Sequence, residues 1–263
     1  MAPFNISPSL SNLLDTLKGT DFENNISFMY VDSTGNVTVG VGHNLTADPN
    51  YQMLPFKINT EWDEETKKQP RRKRQHVKGG DIGISLAANR PPGIAATQSE
   101  IKNDFDFLTK HSGKGESKEH GLKKYSPDQS SQNNPLLKRY TTVELDDKDI
   151  DKLFAADCNS FIGELRGIRL FGNAFDAYPV EGQAALIDMI FNLGSTVFRR
   201  VFSVTLIAAI KGEGSYAKMK VRERWNIAAA HSGRKVPAKR NQQVSNWLKS
   251  AASDKRFADG DSK

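Results

Sequence analysis

Residues 23–43 read Glu-Asn-Asn-Ile-Ser-Phe-Met-Tyr-Val-Asp-Ser-Thr-Gly-Asn-Val-Thr-Val-Gly-Val-Gly-His. Residues 27–31 are apolar and β-prone, Asp-Ser-Thr-Gly-Asn at 32–36 carries turn chemistry, and Val37, Val39 and Val41 alternate with Thr38, Gly40 and Gly42 as in a half-buried strand. The stretch therefore reads as a β-hairpin entered from a preceding helix. Glu23 stands before the first strand, Asp32 at the turn and Thr38 on the return strand. A hairpin can fold this set, two carboxylates and a hydroxyl, around one site.

That set has a recognisable chemistry. Hydrolysis of a glycosidic bond needs one carboxylic acid to protonate the leaving oxygen and one carboxylate to activate water or stabilise positive charge on the sugar. Phe22, Ile26 and Phe28 surround Glu23 in sequence, and apolar neighbours desolvate a glutamate and favour its protonated form. Asp32 sits on an open turn. A Glu/Asp pair about a hairpin is in most chains solvated surface, so residue type alone does not decide.

The spacing goes further. Glu-x8-Asp-x5-Thr, with Tyr30 two residues before the aspartate, Gly35 in the turn and Gly-Val-Gly-His at 40–43, resembles the phage-type lysozymes. The resemblance covers about 20–46 and resumes over 141–248, where Asp-Lys-Asp-Ile-Asp-Lys-Leu-Phe at 147–154 and the apolar helix at 181–194 are similar to that family's connecting and central helices. It implies an α+β, lysozyme-like fold: a small β-hairpin lobe, a helical C-terminal lobe and a cleft between them. It also implies an inverting muramidase that hydrolyses the β-1,4 bond between N-acetylmuramic acid and N-acetylglucosamine, with no cofactor and no metal. Carried over residue by residue, Glu23 is the general acid, Asp32 activates the attacking water and Thr38 helps hold it. Tyr30, His43, Asn192 near the end of the central helix and Arg240 after Pro237 would bind substrate, although the bland alternative for Asn192 is a helix C-terminal asparagine. Asp21 is the nearest rival acid, but the spacing to Asp32 favours Glu23.

The rest of the chain is read around this hairpin. Leu10, Leu13, Leu14 and Leu17 form the stripe of an amphipathic helix, with Ser7, Pro8 and Ser9 at its start and Gly19 at its end. Three segments follow from the pattern: 1–46 with the first helix and the hairpin, a basic insertion over 47–140, and a helical lobe over 141–263. Within the insertion, Thr97-Gln-Ser-Glu100 is a capping box opening a helix with Ile101, Phe105 and Leu108, and the apolar run 51–58 with Trp62 covers core or lines a groove. Residues 69–74 and 110–134 are polar and charged and read as exposed loops or disorder. Beyond 141, Asp146 or Asp147 caps a helix carrying Ile150, Leu153, Phe154, Cys158 and Phe161; further helices are expected over 198–210 and 216–230, and a last one from Pro237 with Val244, Trp247 and Leu248 on one face.

Composition bounds the partners. With 263 residues, 37% hydrophobic and 26% charged, the chain can bury a core in one or two domains. No apolar run is long enough for a transmembrane helix, and the start Met-Ala-Pro-Phe-Asn-Ile-Ser-Pro lacks the basic and apolar regions of a secretory signal. Production in the cytoplasm and action on the periplasmic wall after delivery by another system is the expectation. Phage endolysin, tail lysin and antibacterial toxin effector, the last with an immunity protein, all fit. The expected partner is the peptidoglycan glycan strand, met by a monomer.

A net charge of +6 favours anionic partners. Arg71, Arg72, Lys73 and Arg74 form the one dense basic run, and the alternative it raises is a catalytically inactive wall-binding or nucleic-acid-binding module. No aromatic-rich basic module accompanies it, so no specific nucleic acid is expected. His76, His111 and His120 lack metal-ligand spacing, and the single cysteine, Cys158, excludes an internal disulfide and reads as a buried structural thiol.

Overall fold

The computed structural model describes residues 7–19, 25–32, 35–59, 91–111, 141–167, 175–196, 198–199 and 238–253. Two compact units divide the chain, one made of Met1–Glu23 and Ala155–Lys263, the other of Asn24–Phe154. The general class is α+β: helices together with an antiparallel sheet.

The unit Asn24–Phe154 is built on that sheet. Strands β1 (Ile26–Val31), β2 (Val37–Gly40), β3 (His43–Asn44), β4 (Lys57–Ile58) and β5 (Val143–Glu144) lie in the order β3-β2-β1-β5-β4, and all their pairings are antiparallel. The β1–β2 hairpin forms as its sequence predicts, with Tyr30 opposite Thr38 and Val31 opposite Val37. Gly35 closes the turn by donating its N–H to the Asp32 carbonyl at 2.9 Å, and its φ of 79° is the left-handed conformation that glycine adopts without strain.

Two features depart from the hairpin expected. The return strand is buried on both faces rather than one, with Val37, Thr38, Val39 and Val41 all at most 2% exposed. Helices explain this. Helix α2 (Gln98–His111) packs on β1, β2 and β5, while Gly40 approaches Ile150 so closely that an added Cβ would stand 3.0 Å from its Cγ2. The sheet is also wider than a hairpin, because β4, β5 and a bridge between Lys57 and Ala95 extend it on the β1 side.

Much of the 47–140 segment that the structure describes thus belongs to this unit. Phe56 and Ile58 are buried, and Tyr51 stacks on Phe105 of α2 with ring centroids 4.3 Å apart. The capping box forms: Glu100 Oε2 accepts from the Thr97 N–H at 2.7 Å and from its hydroxyl at 2.8 Å, and Thr97 Oγ1 accepts from the Glu100 N–H at 3.3 Å. One turn on, the buried Asp104 carboxylate accepts from the backbone N–H groups of Thr142 (2.5 Å) and Val143 (3.0 Å) and from the Thr142 hydroxyl. These bonds fasten β5 to α2. Lys57 of β4 pairs with Asp146, and this hydrogen-bonded ion pair raises the lysine pKa and lowers that of the aspartate.

The other unit is helical. Helix α1 (Pro8–Asp15) starts where Ser7 Oγ accepts from the Leu10 N–H at 3.2 Å, and it continues as a 3-10 turn, Thr16–Lys18. Leu10, Leu14 and Leu17 of the predicted stripe are at most 3% exposed. Helix α3 (Asp147–Arg166) contributes its first two turns to the sheet unit and the rest to this one. Helix α4 (Val180–Leu193) is the apolar helix of the sequence, ended by Gly194 at φ 70°, and it packs on both α1 and α5 (Ala238–Ser253). Val244, Trp247 and Leu248 of α5 are buried as their spacing predicts. Trp62, the Arg71–Arg74 run, His76, His120, Pro237 and nearly all of 198–210 and 216–230 lie outside the described residues.

Candidate active site

The hairpin turn begins at Asp32, directly after β1. Asp32 Oδ1 accepts from the backbone N–H of Asn36 at 2.8 Å, and Oδ2 accepts from Asn36 Nδ2 at 3.3 Å. In the other direction Asp32 donates its own N–H to the Asn36 carbonyl at 2.8 Å. An aspartate at this point of a turn bonds the backbone ahead of it, which is why the sequence Asp-x-x-Gly-Asn folds this way. The side chain remains half-buried.

Thr38 lies on the neighbouring strand. Its hydroxyl donates to the carbonyl of Tyr30, its cross-strand partner, at 3.3 Å, and the residue is 2% exposed. Directly opposed residues share a face of a sheet, and residues two apart along a strand share it too. Tyr30, Thr38 and, one step past the strand, Asp32 therefore belong to one face. His43 does not. It pairs with Val39, the residue after Thr38, so it stands on the opposite face, where its Nε2 lies 3.3 Å from Asp48 Oδ2.

The remaining expected contacts fall in the helical unit. Arg240 is 2% exposed, and its Nε and Nη2 both donate to Asp188 Oδ1, at 2.9 and 2.5 Å. Asn192, one turn after Asp188 on α4, donates from Nδ2 to the Asp188 carbonyl at 2.9 Å and to its Oδ2 at 3.3 Å. The asparagine and the arginine expected at a substrate are thus gathered around one buried carboxylate. Asp188 itself escaped notice in the sequence. The signal was present: a single acid in the all-apolar run Ala-Ala-Leu-Ile-Asp-Met-Ile requires a cationic partner, and a buried charge is almost always paired.

Glu23, the expected acid, and its rival Asp21 lie outside the described residues. Among the described residues, no group of three or more His, Cys, Asp or Glu could hold a metal ion, and no helix is long and apolar enough to cross a membrane. Compared with protein families and with curated proteins, the chain matches neither.

Proposed function

We propose that this protein is a peptidoglycan-hydrolysing muramidase with a lysozyme-like fold, acting by inversion. The observation that carries the reading is the spacing Glu23–Asp32–Thr38 on a hairpin whose register pairs Thr38 with Tyr30, so that the base and the water-holding hydroxyl share a face. Glu23 protonates the leaving glycosidic oxygen as that bond breaks. Positive charge grows at the anomeric carbon, and water attacks it from the opposite side of the ring while Asp32 takes the water's proton. Because the Thr38 hydroxyl donates its own proton to the Tyr30 carbonyl, it meets this water as an acceptor. One water O–H then points to Asp32, the other to Thr38, and a lone pair is left for carbon. Wall access by way of a phage particle or a secretion machine belongs to the same proposal.

Mass spectrometry of purified peptidoglycan after digestion tests it. Fragments ending in reducing N-acetylmuramic acid are expected, and proton NMR at early times should show the α-anomer first. Reducing N-acetylglucosamine ends, anhydro-sugar ends or cut peptides would each replace this reaction with another. Glu23→Gln keeps the shape of the side chain and cannot donate the proton, so it should abolish release of fragments with an unchanged circular dichroism spectrum. Retained turnover would remove Glu23 from its role.

A further inference from the structure

We propose that Asn36 is a positioning residue that holds the Asp32 carboxylate in the orientation of a general base; this rests on the muramidase reading above. Asp32 is gripped at both oxygens by one neighbour, with the Asn36 N–H on Oδ1 at 2.8 Å and the Asn36 Nδ2 on Oδ2 at 3.3 Å. The two bonds have different origins. Any residue other than proline at position 36 would supply the backbone N–H, and any residue would supply the carbonyl that accepts from Asp32 N–H at 2.8 Å. Gly35, at φ 79°, adopts the left-handed conformation in this turn. The backbone bonds that close the hairpin, Asp32 N–H to the Asn36 carbonyl and Gly35 N–H to the Asp32 carbonyl, do not use the side-chain amide.

What the amide adds is control of the carboxylate plane. The terminal torsion of an aspartate is broad, so each donor on a carboxylate oxygen narrows the orientations open to its plane. The Asn36 amide on Oδ2 adds such a hold to that of the backbone N–H on Oδ1. A carboxylate offers about four lone-pair sites, so two bonds from Asn36 do not exhaust its capacity to receive a proton from water. A base must meet its proton at hydrogen-bond distance and in line, and a small misplacement weakens the transfer steeply.

Kinetics on solubilised glycan strands test this with the full chain. Asn36→Ala should lower kcat about tenfold, well short of the roughly hundredfold or more that a positioned base supplies, with KM and the melting temperature nearly unchanged. Asn36→Gln keeps an amide donor and should retain more of kcat than Asn36→Ala. The deciding measurement is a double-mutant cycle: Asn36→Ala introduced into Asp32→Asn should cost nothing further, because a residue that acts through Asp32 has nothing left to position. An unchanged kcat in Asn36→Ala, or an equal loss in both backgrounds, overturns the proposal while leaving the muramidase intact. Full turnover in Asp32→Asn would instead overturn the assignment of the base, and the role of Asn36 with it.

Discussion

Thr38 shows how burial and chemistry separate at one residue. At 2% exposure its methyl group fills core while its hydroxyl bonds the Tyr30 carbonyl, so truncation to alanine would mix a cavity with the loss of an acceptor. Thr38→Val keeps the volume. On the proposed mechanism it should slow wall hydrolysis about tenfold, less than Asp32→Asn, since removing a general base typically costs on the order of a hundredfold or more. Steady-state rates of the two variants side by side check the order, and a Thr38→Val variant as fast as the parent would free the hydroxyl of any part in the proposed reaction. Cys158 makes the opposite case, a nucleophile by type that is inert by place. Burial pushes its thiol up to about 12, chiefly by desolvation, and only the thiolate attacks. Thiol-specific alkylation of the native protein should stay negligible from pH 7 to 9, where an exposed cysteine becomes steeply more reactive, and one thiol should appear on unfolding.

Between elements of the helical unit, the buried Asp188–Arg240 pair joins α4 to α5. Both side chains are at most 3% exposed, so removing one strips a buried charge of this partner. Arg240→Met is expected to cost about 3–5 kcal/mol in urea unfolding, while the double change Asp188→Leu with Arg240→Met should recover much of that loss. A loss below about 1 kcal/mol for the single variant, the range of exposed pairs, would show that water reaches the pair. Asp104 plays a comparable part in the sheet unit, where its carboxylate takes two backbone N–H groups at the start of β5. Asp104→Ala strands those donors, each worth about 1–3 kcal/mol when buried and unsatisfied, and should destabilise more than Thr97→Ala, which loses a helix cap worth about 1 kcal/mol.

For the molecule as a whole, a net charge of +6 is carried in part by the Arg71–Arg74 run, away from the hairpin in sequence. Changing those four residues to glutamine should weaken retention on whole walls and flatten its salt dependence, and should slow cleavage of short neutral oligosaccharides far less. Equal losses on both substrates would tie the run to catalysis or to folding. What the sequence determined by itself is everything set by near neighbours along the chain. The leucine stripe of α1, the Thr97–Glu100 box, the Gly194 stop and the hairpin turn were all legible, because each depends on residues at most a few positions apart and on backbone geometry that their types impose. The candidate base and its hydroxyl were legible for the same reason, both being on one hairpin. Only the tertiary structure decided that β5 joins β1 from more than a hundred residues away, with Phe28 opposite Glu144, and that α2 and Ile150 cover a strand whose alternation had implied one open face. It alone brought Arg240, 52 residues on, inward onto Asp188. Strand pairing and burial of charge are settled by which distant segments arrive together, and no local pattern encodes the partner.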